Sequence, residues 1–131
     1  MANVITQRAL DRLLARAKRD RDVLAVLLFG SRAREEAGPG SDIDVCLVLG
    51  GQPGSDPGAS EKRLEYLAEA DLDVVVFQQL PLYIRSRALK EGTVLFVRDE
   101  DALYDLATRT ARAFERFRPT YRAYLEQVSR D

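Results

Sequence analysis

"LLFGSRAREEAGPGSDIDVCLVL", residues 27–49, joins two apolar runs through a polar turn that carries a Gly-Ser pair at one end and two aspartates at the other. The run leading into it, Val23 to Phe29 (VLAVLLF), has strand length and is apolar throughout. Continuous rather than alternating apolarity predicts a strand covered on both faces. It passes directly into Gly30-Ser31, after which Ser31 to Ala37 reads as a short helix ended by Gly38-Pro39-Gly40. Asp42 to Leu49 is the second strand. Alternation puts Asp42 and Asp44 on one face of it, roughly 6.6 Å apart at ~3.3 Å per residue, with Ile43, Val45, Leu47 and Leu49 on the other.

Two ionised carboxylates side by side repel each other, and proximity to a core makes the repulsion worse. A shared cation relieves it. No lysine or histidine lies nearby in sequence, and hard oxygen ligands at this spacing suit Mg²⁺ or Mn²⁺. Taken alone, the Asp-x-Asp reads equally well as two solvated loop residues. The Gly-Ser pair shifts that balance. Gly30 ends a buried strand where a missing side chain lets an anion approach the backbone, and Ser31 opens a helix whose free N–H groups face that anion. The Ser31 hydroxyl can bond a phosphate oxygen, and Arg32 and Arg34 add positive charge in the same turn. A third carboxylate, Asp73, lies in "DLDVVVF" on a strand expected beside the Asp-x-Asp strand. Asp71 shares its face but reads as a surface charge at the strand start. Asp73 lies further into the apolar run, where an unpaired charge is costly, and fits a metal site.

Outward from this centre the chain alternates strands and helices. Thr6 is placed to cap a helix from Gln7 to Arg19, with Ala9, Leu10, Leu13, Leu14 and Ala17 at helical spacing. Gly50 to Ala59 is a Gly/Pro-rich loop, Ser60 a cap for a helix to about Ala70, and Leu72 to Phe77 a third strand. Pro81 opens a short helix to Glu91, Gly92 ends it, and Thr93 to Val97 is a short edge strand. A last helical stretch starts near Asp101, breaks at Pro119 and resumes through Val128. The order predicts an α/β fold, a small sheet covered in two or three layers, with the sense of each strand pair left open.

Composition sets the class. With 131 residues, residues 1–131 are expected to be a single domain, of which 101–131 form a C-terminal helical stretch. A net charge of −1 argues against direct nucleic-acid binding. The absence of histidine excludes a His-based triad or zinc site, and a single cysteine, Cys46, excludes an internal disulfide and reads as a small core residue. With no apolar run of membrane-spanning length and no signal-peptide layout, the expectation is a cytoplasmic protein without membrane contact. The phosphate loop of the common ATPases is missing, and Gly38-Pro39-Gly40 lacks the third glycine of a dinucleotide fingerprint. The arginines and aromatics of residues 104–124 suit nucleic acid in type, but from Arg98 to Asp131 seven basic residues face seven acidic ones. A packed helix, in contact with a partner protein, fits that balance better.

"FGSRAREEAGPGSDIDVCLVL" resembles the signature of the minimal nucleotidyltransferases of the DNA polymerase beta-like superfamily, and the likeness continues through "LDVVVFQQLPLYIRSRALKEGTVLF". The resemblance implies a small mixed sheet flanked by helices. It also implies a nucleotide site at Gly30 and Ser31, where the charge of Arg32 would add to nucleotide binding by holding the leaving pyrophosphate, and two Mg²⁺ or Mn²⁺ ions on the catalytic carboxylates Asp42, Asp44 and Asp73, with ATP as substrate. Asp73 would also accept the proton of the attacking hydroxyl. Within that family the chain is similar to antitoxins of HEPN–MNT pairs, which implies adenylylation of a cognate HEPN ribonuclease toxin. Two other readings accompany it: an antibiotic-type enzyme acting on a small molecule, and a toxin-binding module without catalysis.

The nucleotide turn is testable directly. Ser31→Ala deletes one hydrogen bond to a charged ligand, about 1.5–3 kcal/mol, so nucleotidyl transfer should fall about tenfold to a hundredfold. Gly30→Val blocks the approach of the phosphate and should abolish transfer. Full activity in both variants, measured by release of pyrophosphate, would remove the nucleotide from this turn.

Overall fold

The apolar run Val23–Phe29 forms strand β1, as its composition predicts, and occupies the middle of the sheet. The structure, a computed structural model, describes residues 2–29, 44–50, 58–69 and 73–130. On one side β1 pairs antiparallel with β2 (Asp44–Leu49), and on the other with β4 (Thr93–Val97). Strand β3 (Asp73–Val76) pairs with β2 in parallel, giving the order β3-β2-β1-β4 and a mixed sheet. The connection between β2 and β3 contains α2 (Ala59–Glu69), as a parallel crossover requires.

Alternation along the strands sorts their side chains to two faces. Val26, Val45, Leu47 and Val74 meet Leu10 and Leu13 of α1 (Ala2–Arg19) and Tyr66 of α2. Ala25, Leu27, Cys46 and Val48 face the other way, toward Leu89 of α3 (Leu82–Glu91) and Leu103 and Leu106 of α4 (Glu100–Arg130). Continuous apolarity in β1 is thus the signature of a strand buried in a three-layer stack. Each fully buried valine or leucine contributes about 1.5–3 kcal/mol relative to exposure.

Several element ends differ from the sequence expectation. Helix α1 begins at Ala2, so Thr6 lies inside it rather than capping it; docking through Ala9, Leu13 and Ala17 fixes the helix, and an internal threonine costs little. Ser60 likewise sits in the first turn of α2, where its Oγ accepts a hydrogen bond from Gln79 Nε2 (2.8 Å). Phe77 leaves the strand and opens a 3-10 turn to Gln79. Gly92 does end α3, but its φ of −70° is ordinary; a Cβ there would collide with the Ala88 carbonyl oxygen, which accepts the Gly92 N–H. Helix α4 does not break at Pro119 but runs through it. Proline removes one internal hydrogen bond, at about 3 kcal/mol, and the good helix formers on both sides carry the helix across. The short helix expected at Ser31 to Ala37, and most of the Gly/Pro loop, lie outside the described residues.

One end of the sheet is closed by a polar knot at the turn between α1 and β1. Lys62 Nζ donates to both Asp20 oxygens (3.2 and 3.0 Å) and to Asp22 Oδ2 (3.0 Å). The Tyr66 hydroxyl donates to Asp20 Oδ2 (2.9 Å). Arg98 donates to the carbonyls of Val23, Ala17, Lys18 and Asp20 at 2.9–3.1 Å, satisfying the last turn of α1. Burial alone would raise the Asp20 carboxyl, but the hydrogen bonds from Lys62, Tyr66 and the Asp22 backbone, with the charge of Lys62, outweigh it and hold it below 3.8. Burial likewise opposes the charge of Lys62, yet its two aspartates raise it above 10.5.

The sign of the pH dependence follows. The depressed carboxyl stabilises the fold above pH 3.8 and loses that contribution as pH falls through its lower folded value. The raised lysine stabilises below pH 10.5 and is lost only as pH climbs past its higher folded value. Asp20→Ala leaves Lys62 with Asp22 alone and the Tyr66 hydroxyl without its acceptor, and should cost about 1–3 kcal/mol at neutral pH, read by urea unfolding. The variant should also lose part of the acid limb of the wild-type stability profile. An unchanged acid limb would show that Asp20 is not a stabilising carboxylate.

Candidate active site

The parallel pairing of β2 and β3 decides where the carboxylates go. Asp44 opens β2 and Asp73 opens β3, and the two are direct partners in the parallel register. Across the other ladder Asp44 is the partner of Phe29, the residue that leads into Gly30. One end of the sheet therefore collects the end of β1 and the starts of β2 and β3. The polar knot occupies the opposite end, where Val23 is partnered with Leu49.

Asp73 is exposed while the next residue, Val74, is fully buried, so the carboxylate stands where the strand emerges from the core. For Asp44 the strand position is described; Asp42, Gly30, Ser31 and Arg32 lie outside the described residues. Among the described residues no group of three acidic, thiol or imidazole side chains gathers in one place. The donor set at this end still fits a hard divalent cation. Adjacent parallel strands lie about 4.8 Å apart, so aspartates in register can share an oxygen-coordinated ion. The only soft donor nearby is removed from play: Cys46 is fully buried and burial pushes its thiol up to about 12. As the strand pattern predicts, Cys46 is a core residue.

Two residues that sequence reasoning passed over hold this register. The Gln78 side-chain amide accepts from Leu49 N–H (3.1 Å) and donates to Leu49 C=O (2.7 Å), acting as a further strand partner at the end of β2. Arg63 on α2 donates through Nε to the Val74 carbonyl (2.8 Å). Neither carries a local signal. Gln78 looks like any polar residue after a strand, and Arg63 like one charge on a solvated helix face.

Comparison with known families places these elements. Residues 12–101 match the polymerase beta nucleotidyltransferase domain, an interval that contains both described aspartates and the Gly-Ser turn. The chain belongs to that family. Its fold agrees with nucleotidyltransferase relatives. One chain of a toxin–antitoxin crystal structure with AMP-PNP superposes with a TM-score of 0.64 at 18% identity, over 90% of this chain and 97% of the other. A chain from the complex of tri-AMPylated Shewanella oneidensis HEPN toxin with MNT antitoxin gives 0.64 at 15% identity, over 98% and 99%. A candidate protein adenylyltransferase of Methanocaldococcus jannaschii is 38% identical over 74 residues. The match spans 56% of this nucleotidyltransferase chain and 56% of that relative. Among the described residues no helix is long and apolar enough to cross a membrane.

Metal binding can be read without any assay of transfer. Saturating Mg²⁺ at about a hundred times its Kd should stabilise the wild type by about 2.7 kcal/mol and raise its melting temperature. Asp44→Asn and Asp73→Asn should lose most of that gain. Without metal they should melt at the wild-type temperature or slightly above it, because each removes a like-charge contact. Unfolding of both variants would make these aspartates structural.

Proposed function

We propose that this nucleotidyltransferase moves AMP from ATP to a hydroxyl of a partner protein, as an antitoxin that adenylylates a helical HEPN ribonuclease toxin. The observation that carries the reading is the in-register pair Asp44 and Asp73, at the mouth of the family's sheet and beside the strand that leads to Gly30. Support for a protein acceptor comes from the archaeal relative, named as a protein adenylyltransferase, and from the neighbour whose toxin is AMPylated.

In this reading residues 1–131 act as one unit, with residues 101–131 as its C-terminal helical stretch, in the cytoplasm, where ATP is available. Asp42, Asp44 and Asp73 would hold two Mg²⁺ or Mn²⁺ ions, which when bound neutralise the triphosphate and activate its α-phosphorus. Gly30 leaves room for the phosphates to reach the backbone. Ser31 donates its hydroxyl hydrogen to a phosphate oxygen, and Arg32 offsets the charge of the leaving pyrophosphate. Asp73, exposed at the strand start, accepts the proton of the acceptor hydroxyl as that oxygen attacks.

The experiment uses ATP labelled on its α-phosphate, Mg²⁺ and the co-expressed helical partner, with mass spectrometry to find an added AMP. Label should enter a tyrosine, serine or threonine of the partner and be lost in Asp73→Asn. Label on an aminoglycoside or another small molecule, with none on protein, would replace this function with the antibiotic-type reaction. Neutralisation of the toxin by Asp73→Asn without any transfer would make the chain a binding module.

A further inference from the structure

Asp73 occupies the least secure place in the sheet. Strand β3 is an edge of the order β3-β2-β1-β4, is four residues long and pairs only with β2. Asp73 is its first residue, exposed, and its direct partner across the ladder is Asp44. Like charges placed opposite each other destabilise a strand pair, and the end of a short edge strand is the first part to fray. Without a cation, the pairing that assembles the two carboxylates is therefore opposed by the carboxylates themselves. Burial of Val74 and Val76 anchors one face of the strand, but an apolar contact has no direction and does not fix how the strand start emerges.

One directional contact reaches β3 from a helix. Arg63 Nε donates to the carbonyl of Val74 at 2.8 Å, one residue from Asp73. Among the described residues it is the only side chain that bonds the backbone of β3, and no carboxylate competes for it. The donor comes from a fixed base. Lys62, the residue before it, bonds Asp20 and Asp22, and Tyr66, about one turn on, is buried with its hydroxyl on Asp20. A hydrogen bond depends on distance and angle, so a donor held in place fixes the Val74 peptide and with it the backbone that carries Asp73.

We infer that Arg63 is a positioning residue for the divalent ion: its bond to Val74 holds the start of β3 in the arrangement that binds metal, so it sets metal affinity beyond its share of fold stability. The inference rests on the reading of Asp44 and Asp73 as metal ligands. A site whose competent arrangement is only partly populated binds with an affinity reduced by that fraction. Loss of one hydrogen bond changes such a population about threefold to tenfold.

Two isosteres separate the bond from the charge. Counted from Cα, the glutamine Nε2 falls where the arginine Nε lies, so Arg63→Gln keeps a donor there and loses the charge, while Arg63→Met has the same length and no donor. The probe is Mn²⁺ alone, titrated into the full chain without ATP and followed by the loss of its free-ion paramagnetic signal. Arg63→Met should raise the Mn²⁺ Kd about threefold to tenfold, and Arg63→Gln should stay within about twofold of the wild type. In the metal-free protein, amide exchange read by mass spectrometry should quicken in Arg63→Met across residues 73–76 while residues 24–28 keep their protection, and saturating Mg²⁺ should restore it. Gln78→Met removes a comparable support at the far end of β2 and should lower stability in urea without moving the Mn²⁺ Kd. An equal rise in Kd there would make the effect a general loosening and overturn the inference. With Asp73→Asn binding weakly, wild-type affinity in Arg63→Met overturns this inference alone; wild-type affinity in Asp73→Asn overturns the metal reading and this inference with it. Should Arg63→Met prove unstable, Arg63→Gln against Arg63→Lys decides. Positioning requires wild-type affinity in the glutamine variant and weaker binding in the lysine variant, whose donor lies one atom further out; the reverse order would assign the effect to charge and overturn the inference.

Discussion

Parallel pairing of two short strands, with Asp44 set beside Asp73, is the constraint on which the rest of this structure depends. A parallel pair cannot be closed by a hairpin; it needs a crossover, and the crossover helix must be held against the sheet for the register to persist. Here Tyr66 of α2 is buried in the core, Arg63 bonds the Val74 carbonyl and Lys62 is tied to the α1–β1 turn. Gln78 then locks the far end of β2 by pairing with both backbone groups of Leu49. A slip of one residue in this ladder would move Asp73 to the opposite face of the sheet and leave its neighbour without a partner carboxylate.

The two ends of the sheet solve opposite electrostatic problems. At the knot, charges of both signs meet with nearly every polar atom engaged, so Asp20 keeps its charge despite burial and stabilises the fold. At the other end, carboxylates of one sign are gathered by adjacent strands, which costs stability in the absence of a cation. Such an arrangement persists only where the remaining structure supplies a surplus. The core on both faces of β1 and the saturated knot provide it.

Family membership and physical reading support each other at different points. The family match covers residues 12–101, while the superposed neighbours extend over nearly the whole chain, α4 included. Their low identity makes that agreement one of fold. Pairing of β1, β2 and β3 sets the end of β1 beside the starts of β2 and β3, so that Asp44 lies next to Phe29 and Asp73. Packing also divides α4 into a first half held against the sheet through Leu103 and Leu106 and a second half exposed at Tyr124, Leu125 and Val128, a division that amphipathicity alone does not draw.

How much of this was legible in the chain depends on whether the cause was local. Strands β1 and β4 matched their sequence patterns residue for residue, as did the ends of α3 at Pro81 and Gly92, since apolar periodicity, proline and glycine act over a few residues. The Asp-x-Asp and Asp73 stood out because charges at the edge of an apolar strand need an explanation in chemistry. Gln78, Arg63 and the Asp20–Lys62–Tyr66 knot had no such mark: their meaning lies in partners 11 to 46 residues away. The path of α4 through Pro119 likewise reversed a local rule, because one lost hydrogen bond is small against a long helix anchored at its other end. Sequence by itself determined which residues are buried in the strands and marked Asp44 and Asp73 as charges at the edge of the core, through periodicity and the cost of charge. Tertiary structure alone decided strand order, sense and register, because those are set by packing between segments distant in the chain, and that decision brings Asp44 to Asp73.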